Sequence, residues 1–284
     1  MKSALICTAV TLLVGCGSPS GQDGGTGGDA GRIKRTELPP PTGQQFWNGR
    51  WSPDAKKIAL HVSTKGASTQ DFIAVMDESG ANLTTIADAG TYLATAAWSP
   101  AGTSVYFTDS KGISKVPATG GAATQLATPF AAYELDVSKD GARVTYTSNG
   151  LNDISLIELA DAGTVTVHSG VAARFSPDGT QLAFVDGLTD KEHFWLYKFA
   201  DKSVTDLGVA NTYLASVGWF ADGKRLAVTS DKGIELLITD QTPVVRSMLY
   251  ADAFASTGVD VSSDSAKILY RVNGSTGLFV LTGF

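Results

Sequence analysis

Across residues 32–284, short runs of alternating apolar and polar positions are divided by clusters of Ser, Pro, Asp and Gly. The clearest phrase is residues 175–185, Phe-Ser-Pro-Asp-Gly-Thr-Gln-Leu-Ala-Phe-Val. It predicts a strand that ends on an aromatic anchor, a tight turn and a returning strand with alternating apolar positions. Versions of the phrase begin at Trp51, Trp98, Val137, Phe175, Trp219 and Val261, at intervals of 47, 39, 38, 44 and 42 residues. Such a period corresponds to one four-stranded antiparallel blade, so the expected fold is an all-β six-bladed β-propeller. Each repeat is read as strands A to D, with A ending at the anchor. The sixth repeat has A, B and C but no D before Phe284, while residues 32–38 are strand-like and precede the first blade. That N-terminal segment is expected to complete the last blade, which hides two edges that would otherwise seek foreign strands. Pro39, Pro40 and Pro41 then form a stiff connector lacking backbone donors.

A longer period lies beneath the six. Trp51 matches Phe175, Trp98 matches Trp219 and Val137 matches Val261, at offsets of 124, 121 and 124 residues. Residues 108–113 answer 229–234, and 91–94 answer 212–215. We read this as a duplicated three-blade half with a pseudo-twofold along the channel. The residue before each anchor runs Arg50, Ala97, Asp136, Arg174, Gly218, Asp260. In a closed ring Asp136 neighbours Arg174 and Asp260 neighbours Arg50, which predicts two structural ion pairs between blades. Desolvation makes such pairs devices of register more than of stability.

A content of 43% hydrophobic residues in 284 can fill one large core, and a net charge of −6 without a Lys/Arg run argues against nucleic acid as a partner. His61, His168 and His193 fall in different blades and read as partly exposed strand residues, so no metal site and no cofactor are expected. No Gly-x-Ser-x-Gly elbow is present. The recurring Ser, Pro, Asp and Gly have turn chemistry as their explanation, and no catalytic residue is assigned. Tyr92, Tyr133, Tyr213 and Phe254 all lie at D-to-A junctions, around one mouth of the channel, and are the candidate binding residues.

Residues 1–15 read as a secretory signal, with Lys2 followed by an apolar run. Leu13-Val14-Gly15-Cys16 resembles the bacterial lipobox, which implies lipidation of Cys16 and, with Gly17 next, the outer membrane facing the periplasm. Both cysteines, Cys7 and Cys16, lie here, so the propeller is expected to hold no disulfide. Residues 16–31 are Gly-rich and have no apolar payload, and read as a flexible tether reaching roughly 20 Å. The propeller is residues 32–284. Its repeated Phe-Ser-Pro-Asp-Gly-x-x-Leu-Ala-Phe phrase resembles the TolB-type β-propellers. In that family the propeller follows an α/β domain and docks a peptidoglycan-associated lipoprotein; here a lipobox and tether stand in front, and no interface residue carries over by motif. The expectation is a monomeric, non-catalytic envelope lipoprotein that binds a protein or peptide, touching the membrane through its lipid alone. The alternative is a lactonase-, lyase- or glycosidase-like enzyme working at the channel mouth.

Overall fold

The computed structural model describes residues 33–284 other than 66–68, 91–93, 129–131, 149–151, 162, 187–191, 211, 213–214 and 253–257. Their strands form six four-stranded antiparallel sheets. Blade one is β2 (Gln44–Trp51), β3 (Lys57–Thr64), β4 (Asp71–Asp77) and β5 (Thr84–Gly90). The innermost strands of the next five blades are β6 (Ala96–Trp98), β10 (Ala132–Val137), β14 (Val171–Phe175), β18 (Val217–Trp219) and β22 (Asp260–Val261). Blade six continues with β23 (Lys267–Tyr270) and β24 (Leu278–Thr282), and its outermost strand is β1 (Lys34–Leu38). The expected closure holds: β1 pairs with β24 from Lys34 opposite Thr282 to Leu38 opposite Leu278.

The ring follows from where the apolar faces point. Central strands such as Gln181–Val185 are buried on both faces and read as nearly unbroken apolar runs, whereas the outer strand Gly163–Ser169 is mostly exposed. Among the described residues the buried apolar side chains gather into six clusters, each at the seam of two neighbouring blades. No blade can bury its faces alone, so adjacent blades and a closed circle are the stable solution. The last seam joins Leu38, Leu269, Leu278 and Val280 of blade six to Phe46, Ile58, Leu60 and Met76 of blade one. A polar latch holds β1 from the other side. Arg35 Nε donates to the Tyr270 hydroxyl at 2.9 Å, that hydroxyl donates to Asp252 Oδ2 at 3.1 Å, and the Arg35 guanidinium lies 3.8 Å from the Phe279 ring centre. Burial pushes the Tyr270 phenol up, so it serves as a neutral donor.

The repeated turns are built as their residues dictate. Ser52, Ser138, Ser176 and Ser262 donate to Asp54, Asp140, Asp178 and Asp264 at 2.6, 2.5, 2.6 and 2.5 Å. Each serine oxygen also accepts the backbone N–H five residues on, at 2.9, 2.9, 3.0 and 2.9 Å. These hydroxyls, with backbone donors behind them, hold the four carboxyls below their usual 3.8. The motif therefore spends its polar atoms on closing the A–B turn.

Candidate functional site

Four of the six inner strands carry a charge just before the anchor, and each reaches it through the same backbone device. Asn48, Glu134, Ala172 and Gly258 stand two residues before Arg50, Asp136, Arg174 and Asp260, and their φ values are +43°, +54°, +56° and +86°. In blades one, three and four the pairing register slips there. A bulge of this kind bends the strand and re-aims the next side chains. A left-handed non-glycine residue costs on the order of 1 kcal/mol or more, which packing elsewhere must offset. Blades two and five, with Ala97 and Gly218 at the same place, are joined to the next blade differently. Thr95 Oγ1 accepts the Leu135 N–H at 3.3 Å and Ser216 Oγ accepts the Val259 N–H at 3.0 Å.

The pseudo-twofold holds at the level of single bonds. Trp98 Nε1 donates to the Arg50 carbonyl at 3.0 Å, and Trp219 Nε1 to the Arg174 carbonyl at 3.1 Å. Asp260 Oδ2 accepts the Trp51 N–H at 2.7 Å, and Asp136 Oδ2 the Phe175 N–H at 2.9 Å. Arg50 Nη1 also donates to Asp260 Oδ1 at 3.2 Å. The second pair differs from the sequence expectation: Arg174 Nη2 donates to Glu134 Oε2 at 2.9 Å, and Asp136 is bonded to the Phe175 amide instead. Lost hydration pushes the Asp260 carboxyl up despite Arg50, and it pulls the Arg174 guanidinium down, with Arg50 nearby adding to that.

These four charges line a cavity of about 500 Å³ at the end of the channel where the A–B turns lie. Its wall is aromatic, from Trp51, Trp98, Phe175 and Trp219, and its rim carries Pro53, Pro100, Pro177 and the exposed Lys139. A second hollow of about 690 Å³ runs between blades four and five on the same face, with Lys198, Lys224, Asp178, Asp222 and Asp240 along it. Lys139, Pro177 and Ala221 border both, so cavity and groove adjoin along these three residues.

Of the residues proposed for binding from sequence, Tyr92, Tyr213 and Phe254 lie outside the described residues, as does Cys16. Tyr133 is half-buried in β10 and its hydroxyl donates to Asn152 Oδ1 at 3.3 Å. The cavity was not anticipated. Glu134 was missed as well, because the bulge between Tyr133 and Asp136 breaks the alternation from which its direction would be read. For the cavity the anchors themselves were the signal, since residues that end the A strands must ring the A–B mouth. The histidines do not converge. His193 lies 3.0 Å from Asp206, His168 Nδ1 lies 2.6 Å from the Ser169 carbonyl, and His61 is fully buried. That last placement corrects the expectation of partial exposure: His61 Nε2 bonds Asp71 Oδ1 at 2.6 Å, and burial holds the ring below its usual 6.5. Among the described residues no group of three or more His, Cys, Asp or Glu is placed to hold a metal ion.

No protein-family model matches the chain, and no curated protein sequence does. Solved structures do. TolB from Acinetobacter baumannii superposes with a TM-score of 0.61 at 16% identity over 85% of this chain, which spans only 64% of that protein. A putative TolB from Agrobacterium tumefaciens gives 0.59 at 16% identity, over 84% of this chain and 90% of that one. An oligogalacturonate lyase in complex with manganese gives 0.58 at 13% identity, over 86% and 78%. Identities this low speak for architecture alone, and one fold hosts unrelated activities. The chain has the fold of a TolB-like six-bladed β-propeller.

Proposed function

We propose that this protein is a non-catalytic lipoprotein of the bacterial cell envelope, lipidated at Cys16 and facing the periplasm from the outer membrane, whose propeller binds an extended peptide segment of a partner protein. The observation that carries this reading is that the groove between blades four and five adjoins the channel cavity at Lys139, Pro177 and Ala221. A compact metabolite needs an enclosed pocket; an extended chain needs a hole for one side chain and a trench for its flanks. The aromatic wall supplies contact area at low entropic cost, and the mixed charges of the groove supply register. The binding face is thus the A–B mouth.

The test is site-specific photocrosslinking in cells that produce the full chain. A photoreactive residue at Ala221, exposed and shared by cavity and groove, is expected to trap a discrete partner band. One at Val165, 60% exposed on the outer strand of blade three, is expected to trap none. Equal labelling at both positions, or none at Ala221, would refute this docking surface.

A further inference from the structure

The two halves of the ring differ at one place that changes how the charges of the cavity are bonded. Alignment of blade three with blade six sets Glu134 against Gly258, both at positive φ. In the glycine half, the arginine of the following blade turns to the channel aspartate, as the Arg50–Asp260 bond shows. In the other half Glu134 draws the arginine away. Arg174 gives Nη2 to Glu134 and Nη1 to the Ala173 carbonyl at 3.0 Å. Asp136 keeps one hydrogen-bond partner among the described residues, the Phe175 amide. Two arginines therefore stand against three carboxylates around the channel. The one without a hydrogen-bonded cation, Asp136, is half-exposed on the cavity wall; Arg174 attracts it through space but gives its bonds to Glu134, which stands off the cavity. Lys139, the other cation of the rim, is exposed on the turn, where water and salt screen it. Two donors of residues on the same wall, Trp51 Nε1 and Arg174 Nε, are themselves buried and have no partner among the described residues.

We infer that the cavity receives a lysine or arginine side chain of the bound peptide, with its cationic head on Asp136 and its stem against the aromatic anchors. A carboxylate beside ring faces is the pairing such a head seeks, since it gains a charge-assisted bond and a ring quadrupole together. The symmetric site at Asp260 is closed to the same guest because Arg50 already fills that role. This rests on the peptide-binding reading, and its test separates the two.

The full chain, its Asp136→Asn variant and its Glu134→Gly variant are each panned against a displayed random heptapeptide library. In parallel each is titrated with propylguanidinium, read by the indole N–H resonances of Trp51, Trp98 and Trp219. Asparagine can still accept the Phe175 amide, and glycine suits the positive φ at 134, so both variants keep the fold. The expected result is peptides with a Lys or Arg at one invariant position, and saturable indole shifts with propylguanidinium. Both should weaken roughly tenfold or more in Asp136→Asn. Glu134→Gly should weaken them too, because it frees Arg174 to close on Asp136 as Arg50 does on Asp260. Enriched peptides without a basic position, or propylguanidinium shifts that are absent or indifferent to Asp136→Asn, overturn the inference. Propylguanidinium binding that depends on Asp136 with no peptide enriched keeps the cation site and sinks the peptide reading.

Discussion

Replacing Leu38 by Ala tests whether β1 is a true part of the ring. Leu38 is 2% exposed, and it meets Leu278 and Val280 on one side and Phe46 and Ile58 of blade one on the other. The change deletes three carbons at a seam between the first and last blades. At about 0.8 kcal/mol per buried carbon, with a cavity penalty added, the loss is about 3 kcal/mol. Taking a urea m-value of about 3 kcal/mol/M, the unfolding midpoint should fall by about 1 M. The control is Thr36→Ala on the same strand, exposed to solvent, which should stay within about 0.5 kcal/mol of the parent. The assay is urea unfolding followed by tryptophan fluorescence and far-ultraviolet circular dichroism together. If β1 were an appendage, its loss would leave the tryptophan transition in place. A Leu38→Ala midpoint equal to that of Thr36→Ala would show that the circle is stable without this strand and that the closure argument is wrong.

Two further predictions concern pH. Asp54, Asp140, Asp178 and Asp264 have carboxyls held below 3.8 in the folded chain, so the unfolded chain takes up protons first as pH falls. Their contribution is complete above that value and is lost on descent through the folded values. The urea midpoint should therefore drop as the pH is taken below 3.8, and the fourfold Asp→Asn variant should show a flatter profile there. His61 acts in a higher window. Its ring is held below 6.5 by burial, so stability is full above pH 6.5 and declines below it. His61→Gln should flatten the change in midpoint between pH 7.5 and 5.5, and an unaltered slope would assign that titration elsewhere.

The blade count and the turn chemistry were legible because they are local rules repeated, an anchor, a polar turn and an apolar strand, six times over, and the closure because the sixth repeat lacked one strand while the N-terminus had one to spare. The charged inner positions were legible as a ring order but not as bonds. Whether Arg174 meets Asp136 or Glu134 depends on a left-handed residue at 134, and no periodicity announces a bulge formed by a glutamate. His61 was misread for a related reason. Histidine at a strand position is usually solvated, and the sequence held no sign that Asp71, ten residues on, would bury beside it. The cavity was overlooked because the anchors were read only as the ends of the A strands. Trp51, Trp98, Phe175 and Trp219 are buried in the seams and also line the channel cavity.

The pairing of β1 with β24 sets a condition on how the molecule is made. Leu38 and Leu278, opposite each other in the finished sheet, are 240 residues apart in the chain. The first strand to be synthesised therefore waits for the last, and a contact of such range is slow to find. Until residue 278 is available, whatever has formed is an open arc with an unmatched strand at either end, the kind of intermediate that aggregates. A chain cut short before β24 therefore leaves β1 without its neighbour, a broken circle with two bare ends.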